Sequence, residues 1–190
     1  ARECYYILAG ETSADLLGSH LMRAVQKNTK SQVDWIGIGG EQMEKLGFTS
    51  NENMSKLSVV GFLEAISSYS TLLQIAKEQI EEIIQSRPKA IFTVDTKQFS
   101  LKFVSLLRKK MDQVGWHVPI IQLVAPTVWA WGPWRAKKFE KLFDAILCLF
   151  PFEPSYFHPK KTHAVFVGHP SAYQALEINK QILPPKQVIQ

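Results

Sequence analysis

Apolar residues along this chain fall into two patterns. Some form short compact blocks, and others recur every three or four positions over longer stretches. Residues 4–9 form a compact block, the mark of a buried strand, which Gly10 then breaks. Thr12 and Asp15 fit the start signal of a helix, and Leu16, Leu17, Leu21, Ala24 and Val25 share one predicted face. A second strand is expected at 33–38, closed by Gly39 and Gly40. Residues 62–85 read as helical and are stopped by Pro88. A third strand is expected at 89–94. Residues 99–111 then form an amphipathic stretch, with Leu101, Val104, Ser105 and either Leu106 or Leu107 facing in. A fourth strand at 118–124, a short helix at 136–142, and strands at 144–150 and 163–167 complete the pattern.

Strands alternating with helices predict an α/β fold with a mostly parallel sheet and right-handed crossovers. Ligands on such sheets bind beyond the carboxyl ends of the strands. That directs attention to the loops at 10–13, 37–41, 95–98, 125–135 and 168–170. No internal repeat or low-complexity segment is present. The pattern weakens after Pro170, and Leu183-Pro184-Pro185 reads as a linker. The expected division is one domain over 1–170 and a linker or tail over 171–190.

Composition narrows the class. The 190 residues are 46% hydrophobic and 21% charged, which suits one globular domain and excludes disordered, collagenous and coiled-coil chains. Two cysteines, Cys4 and Cys148, make no disulfide framework; both lie in apolar runs and are expected as buried thiols in a reducing compartment. The net charge of +5 favours an anionic partner: phosphate, a nucleotide or an anionic membrane surface. No apolar run is long enough to span a bilayer, and no signal peptide is evident, so a cytosolic protein is expected. The five histidines have no metal-ligand spacing, and no phosphate-binding P-loop, G-x-S-x-G or RNA-binding signature occurs.

Each carboxyl-end loop carries candidate chemistry. The first, AGETSADLLG, could hold a phosphate or a sugar hydroxyl on backbone N–H groups, with Glu11 as a free carboxylate. The plainer alternative is that Thr12 or Ser13 and Asp15 cap the helix they open, a role Glu11 is not needed for. In GIGGEQM the glycines allow either close approach of a ligand or a tight turn. Asp95 ends a strand; it can take a proton from a hydroxyl or cap the next helix. Trp129, Trp131 and Trp134 crowd the loop VAPTVWAWGPWRAKKFEK, followed by Arg135, Lys137, Lys138 and Lys141. Such rings stack on sugars or acyl chains, or pack into the core, and the cations suit phosphate or an anionic leaflet. Residues 57–73 are more apolar than one helix face requires, which leaves a side for acyl chains or membrane, or a helix buried between neighbours.

The ordered series AGETSADLLG, GIGG, VVGFLEAI, VAPTVWAWGPWRAKK, LCLFPFEPSYF and FVGHP resembles the bacterial lipid-A-disaccharide synthase family across residues 7–170. The resemblance implies the Rossmann-like N-terminal half of a two-Rossmann-domain (GT-B) glycosyltransferase, with helices on both faces of the sheet. The implied reaction joins UDP-2,3-diacylglucosamine to 2,3-diacylglucosamine 1-phosphate with inversion, giving a β-1,6 disaccharide and UDP. No metal or cofactor is implied. The implied location is peripheral, on the inner face of the cytoplasmic membrane, and a homodimer is left open. Asp95 matches the family's candidate general base, with Glu11 and Ser13 orienting the acceptor or aiding that base. The candidate substrate contacts in these loops are Gly10, Gly39, Gly40, Gln98, Trp129, Trp131 and Arg135. Leu63, Ile66, Tyr69, Leu72 and Leu73 match the part that meets acyl chains. The chain departs from the family pattern at Lys97 and Gln98, where proline and a second acid are usual, and at Ala14, where glycine is usual. The family's second, donor domain is expected to be absent after Gln190, so this chain alone is expected to transfer poorly. The alternative is a non-catalytic lipid-saccharide or membrane-surface binding domain derived from the same family.

Overall fold

A computed structural model of the chain describes residues 2–60, 66–95, 97–127 and 132–172, without the side chains of 58–60, 66–69, 97–98 and 133. The compact blocks are strands: β1 (Arg2–Ala9), β2 (Gln32–Ile38), β3 (Ile91–Val94), β4 (Ile120–Leu123), β5 (Ala145–Cys148) and β6 (His163–Phe166). They form one sheet in the order β2-β1-β3-β4-β5-β6, with every neighbouring pair parallel. Between them run α1 (Thr12–Asn28), α2 (Glu41–Glu44), α3 (Ser55–Val60), α4 (Ile66–Ser86), α5 (Lys97–Val114) and α6 (Ala136–Leu142). This is the α/β, Rossmann-like arrangement expected.

Successive strand residues point to opposite faces, so β1 feeds two cores. Tyr6 and Leu8 join Ile83, Phe103, Leu107 and Phe139 from α4, α5 and α6. Ile7 and Ala9 join Ala14, Leu17 and Met22 of α1, with Met43 and Phe48 closing that side. The chain steps from β1 out to β2 and then returns across β1 to β3. Right-handed connections therefore put α1 on one face and α4 and α5 on the other. Within the first of these cores the fully buried Tyr6 hydroxyl donates to Gln79 Oε1 at 2.8 Å, which satisfies both groups.

The structure corrects some details. The buried face of α1 runs through Ala14, Asp15, Leu17, Gly18, Ser19 and Met22, whereas Leu16 is 47% exposed and Ala24 is exposed. The small Ala14 and Gly18 are the cause, because they let the helix lie close to Ile7 and Met43. On α5 Leu107 is fully buried alongside Phe103, Val104 and Met111, while Leu106 is half-buried and packs against the edge of the same core. Several strands are shorter than expected, although pairing runs past their assigned ends. Lys89 N–H still donates to Cys4 O at 2.8 Å and Val124 N–H to Leu147 O at 3.0 Å. The helix stopped by Pro88 ends with Arg87 in the left-handed region (φ 46°), its N–H bonded to Ile83 O at 2.9 Å. Cys148 is buried as expected and Cys4 is half-buried; both thiols are free. No described helix is long and apolar enough to cross a membrane.

Candidate functional site

The carboxyl ends of β1 and β2 open into a cavity of about 560 Å³. Its wall begins with Glu11 and Thr12 from the first loop and Gly39 and Gly40 from the second. Buried Gly10 makes the turn out of β1, and Glu11 is the N-cap position of α1, in extended backbone and with no side-chain cap bond. Its carboxylate instead accepts a hydrogen bond from Ser13 Oγ at 3.0 Å, which brings two of the expected site residues together at the exposed rim.

Asp15 has a different role from the helix cap expected of it. It is 2% exposed, and its carboxylate accepts the backbone N–H groups of Gly40 (2.9 Å), Gln42 (2.8 Å) and Met43 (3.1 Å). It therefore caps α2, the next helix but one turn long, and ties the second loop to the first. The glycines of the second loop are required by this packing, and they also line the cavity. A Cβ on Gly40 would meet Asp15 Oδ2 at 2.7 Å, and one on Gly39 would meet Met43 Sδ at 2.6 Å and Phe48 at 2.9 Å. Close packing of the protein against itself requires both.

The opposite wall of the cavity was not anticipated. It comprises Glu44, Ser50, Glu52, Asn53, Met54 and Ser55. Ser50 Oγ accepts the Gly39 N–H at 3.1 Å and donates to Glu52 O at 2.6 Å. Asn53 Oδ1 accepts both Ser55 N–H and Ser55 Oγ–H, which starts α3. The Asn-x-Ser spacing was the available signal for this turn. Lys56 beside Glu52, at 2.9 Å, together with the Asn53 N–H, holds the Glu52 carboxyl below its ordinary range. With Glu11, Glu44 and Glu52 on its wall, this side of the site is acidic and rich in hydrogen-bond acceptors.

The neighbouring strand delivers Asp95. Ala9 and Val94 are register partners, so Gly10 and Asp95 leave the sheet at the same level on adjacent strands. Asp95 is half-buried and has φ 44°, a left-handed backbone unusual for a residue with a side chain. Its N–H donates to Leu123 O at 3.1 Å. On the next strand Val124 is left-handed too (φ 75°), which turns the chain sharply into the tryptophan loop.

Beyond that loop Trp134 is 57% exposed, with the Arg135 guanidinium 5.3 Å and the Lys138 ammonium 5.7 Å from the ring centroid. Arg135, Lys137 and Lys138 are all exposed. Phe150 and Phe152 follow β5, stacked at 5.8 Å and about half exposed. The carboxyl edge is thus acidic over β1 and β2, and basic and aromatic over β4 and β5.

Trp129, Trp131 and Leu63 lie outside the described residues, as do the side chains of Gln98, Ile66 and Tyr69. Leu72 is half-buried and packs on the core, and Leu73 is half-buried. Among the described residues, no group of three or more His, Cys, Asp or Glu side chains is placed to hold a metal ion.

Comparison with known proteins gives a consistent answer. A family model described as lipid-A-disaccharide synthetase matches residues 5–189. Among curated relatives named lipid-A-disaccharide synthase, that of Rhodospirillum centenum is 36% identical over 87% of this chain and 40% of its own length. That of Gluconobacter oxydans is 39% identical over 87% of the chain and 38% of its own length. A Legionella pneumophila protein named lipid-A-disaccharide synthase 2 is 38% identical over 91% of the chain and 43% of its own length. The chain therefore spans about two fifths of the relatives it matches.

Proposed function

Because the chain belongs to the lipid-A-disaccharide synthetase family, we propose that it forms the acceptor-binding side of a glycosyltransferase acting on UDP-2,3-diacylglucosamine and 2,3-diacylglucosamine 1-phosphate. The observation that carries this reading is the shared level of Gly10 and Asp95 at the ends of β1 and β3, beside the acidic cavity. A sugar offers hydroxyl donors, and Glu11, Ser50 and Glu52 offer acceptors. The acceptor's phosphate is repelled from that wall and drawn toward Arg135, Lys137 and Lys138 at the other end of the edge.

In the proposed reaction Asp95 accepts the proton of the acceptor 6-hydroxyl as that oxygen attacks the donor's anomeric carbon. The new C–O bond forms as the bond to the UDP oxygen breaks, with inversion. UDP leaves with the electron pair, and nearby cations stabilise its charge. Glu11 and Ser13, bonded to each other, orient the sugar. Gln98 lacks the acidity to be a second base, so Asp95 carries that role alone. The exposed Trp134, Phe150 and Phe152 with the adjacent cations form the face directed to acyl chains and an anionic membrane surface.

The test is a titration of this chain in mild detergent, followed by phosphorus NMR. Saturable binding of 2,3-diacylglucosamine 1-phosphate without binding of UDP is expected. UDP binding without acceptor binding would reverse the assignment of roles. In the complete protein Asp95→Asn is expected to lower transfer by about a hundredfold or more, and full activity in that variant would remove the base. Acceptor binding in a complete protein that makes no disaccharide would instead identify a binding module.

A further inference from the structure

Directly beneath the carboxyl edge, two polar side chains are buried within an otherwise apolar part of the sheet. Thr93 on β3 and Gln122 on β4 are register partners, 0% and 2% exposed. The Thr93 hydroxyl donates to Gln122 Oε1. The other end of the same carboxamide, Nε2, donates to Leu123 O at 3.2 Å and to Val124 O at 3.3 Å. Leu123 O also accepts the Asp95 N–H, at 3.1 Å. One carbonyl thus joins the Gln122 side chain to the Asp95 backbone. The two residues that leave the sheet here, Asp95 and Val124, are both left-handed.

Stability alone does not call for such a pair. Burying an amide and a hydroxyl is unfavourable unless both are bonded, and replacing both partners by apolar groups of like shape is often neutral. What the pair adds is direction. Left-handed backbone at a β-branched valine persists only where its surroundings over-determine it. A carboxamide oriented by Thr93 and grasping two successive carbonyls does so.

We propose that Gln122, oriented by Thr93, is a positioning residue that holds the Leu123 and Val124 carbonyls and through them fixes the backbone of Asp95. The proposal rests on the reading of Asp95 as the base. It is tested with Gln122→Met and Thr93→Val, and with Thr93→Ser as the conservative variant. In the 190-residue chain, amide exchange at Asp95 is expected to quicken about tenfold in the first two variants. Exchange at Ile91, whose N–H bonds Pro119 O in the same β3–β4 region, should stay unchanged. In the complete protein kcat is expected to fall about tenfold with KM within about twofold, and Thr93→Ser should restore both readouts. Unchanged exchange at Asp95 overturns the proposal. So does equal quickening at Asp95 and Ile91, which simple destabilisation would give. If Asp95→Asn abolishes transfer but Gln122→Met leaves kcat intact, the positioning role fails and the base stands. If transfer survives Asp95→Asn, both fail.

Discussion

Asp15 shows how much one side chain can organise. Its carboxylate gathers three N–H groups of a segment that lies more than two dozen positions away along the chain. Asp15→Asn keeps the size but offers only one acceptor oxygen, and it turns an NH2 group toward backbone donors. The expected loss is about 2 kcal/mol in a urea melt, with weaker sugar binding because the cavity wall at Gly40 is released. The sequence revealed a start signal at Thr12 and Asp15 but not which helix the acid serves, since a local pattern cannot identify a distant partner. Asp95 was legible as a carboxylate at a strand end for the opposite reason: the alternation of strands and helices alone sets its place. Its left-handed backbone was not legible, because nothing local forces a non-glycine residue there.

At the scale of elements, the long helices were readable because their apolar period repeats several times, and the six strands because each is a compact apolar block. The one-turn α2 and six-residue α3 were not, because neither spans enough residues to display a period. They nonetheless shape the cavity. The close parallel pairing of β2 with β1 depends on Gly37, the register partner of Ile7, whose φ is 125° and whose absent Cβ would lie 2.0 Å from Ile7 O. Gly47, also left-handed (φ 84°), has open space around it. Gly37→Ala is therefore expected to prevent folding or cost more than about 3 kcal/mol, whereas Gly47→Ala should cost about 1 kcal/mol from backbone strain alone. Thermal melts of the two variants check the ranking, and equal losses would refute the steric account.

Across the whole molecule, charge divides along one edge: acids lie by the cavity and cations by the aromatic face. Lys137→Glu and Lys138→Glu are each expected to weaken binding to anionic lipid vesicles by roughly fivefold at low salt, with little effect on neutral vesicles. Flotation assays would measure it, and high salt should erase the difference. Alkaline pH should also be felt globally. Burial raises the Tyr6 phenol well above its ordinary value and pushes the Cys148 thiol up to about 12. The folded state retains these protons where the unfolded chain releases them, so their contribution is intact below about pH 9 and is lost progressively from there toward pH 12. Denaturation midpoints measured across that window should fall steadily. The order of the sheet has a further consequence for how the chain matures. β1 is synthesised first yet lies between β2 and β3, so Arg2 can pair early with Gln32 while Tyr6 must wait for Ile91. Until β3 emerges from the ribosome, the edge of β1 that it later pairs with is open. The nascent chain should be most dependent on chaperones during that interval.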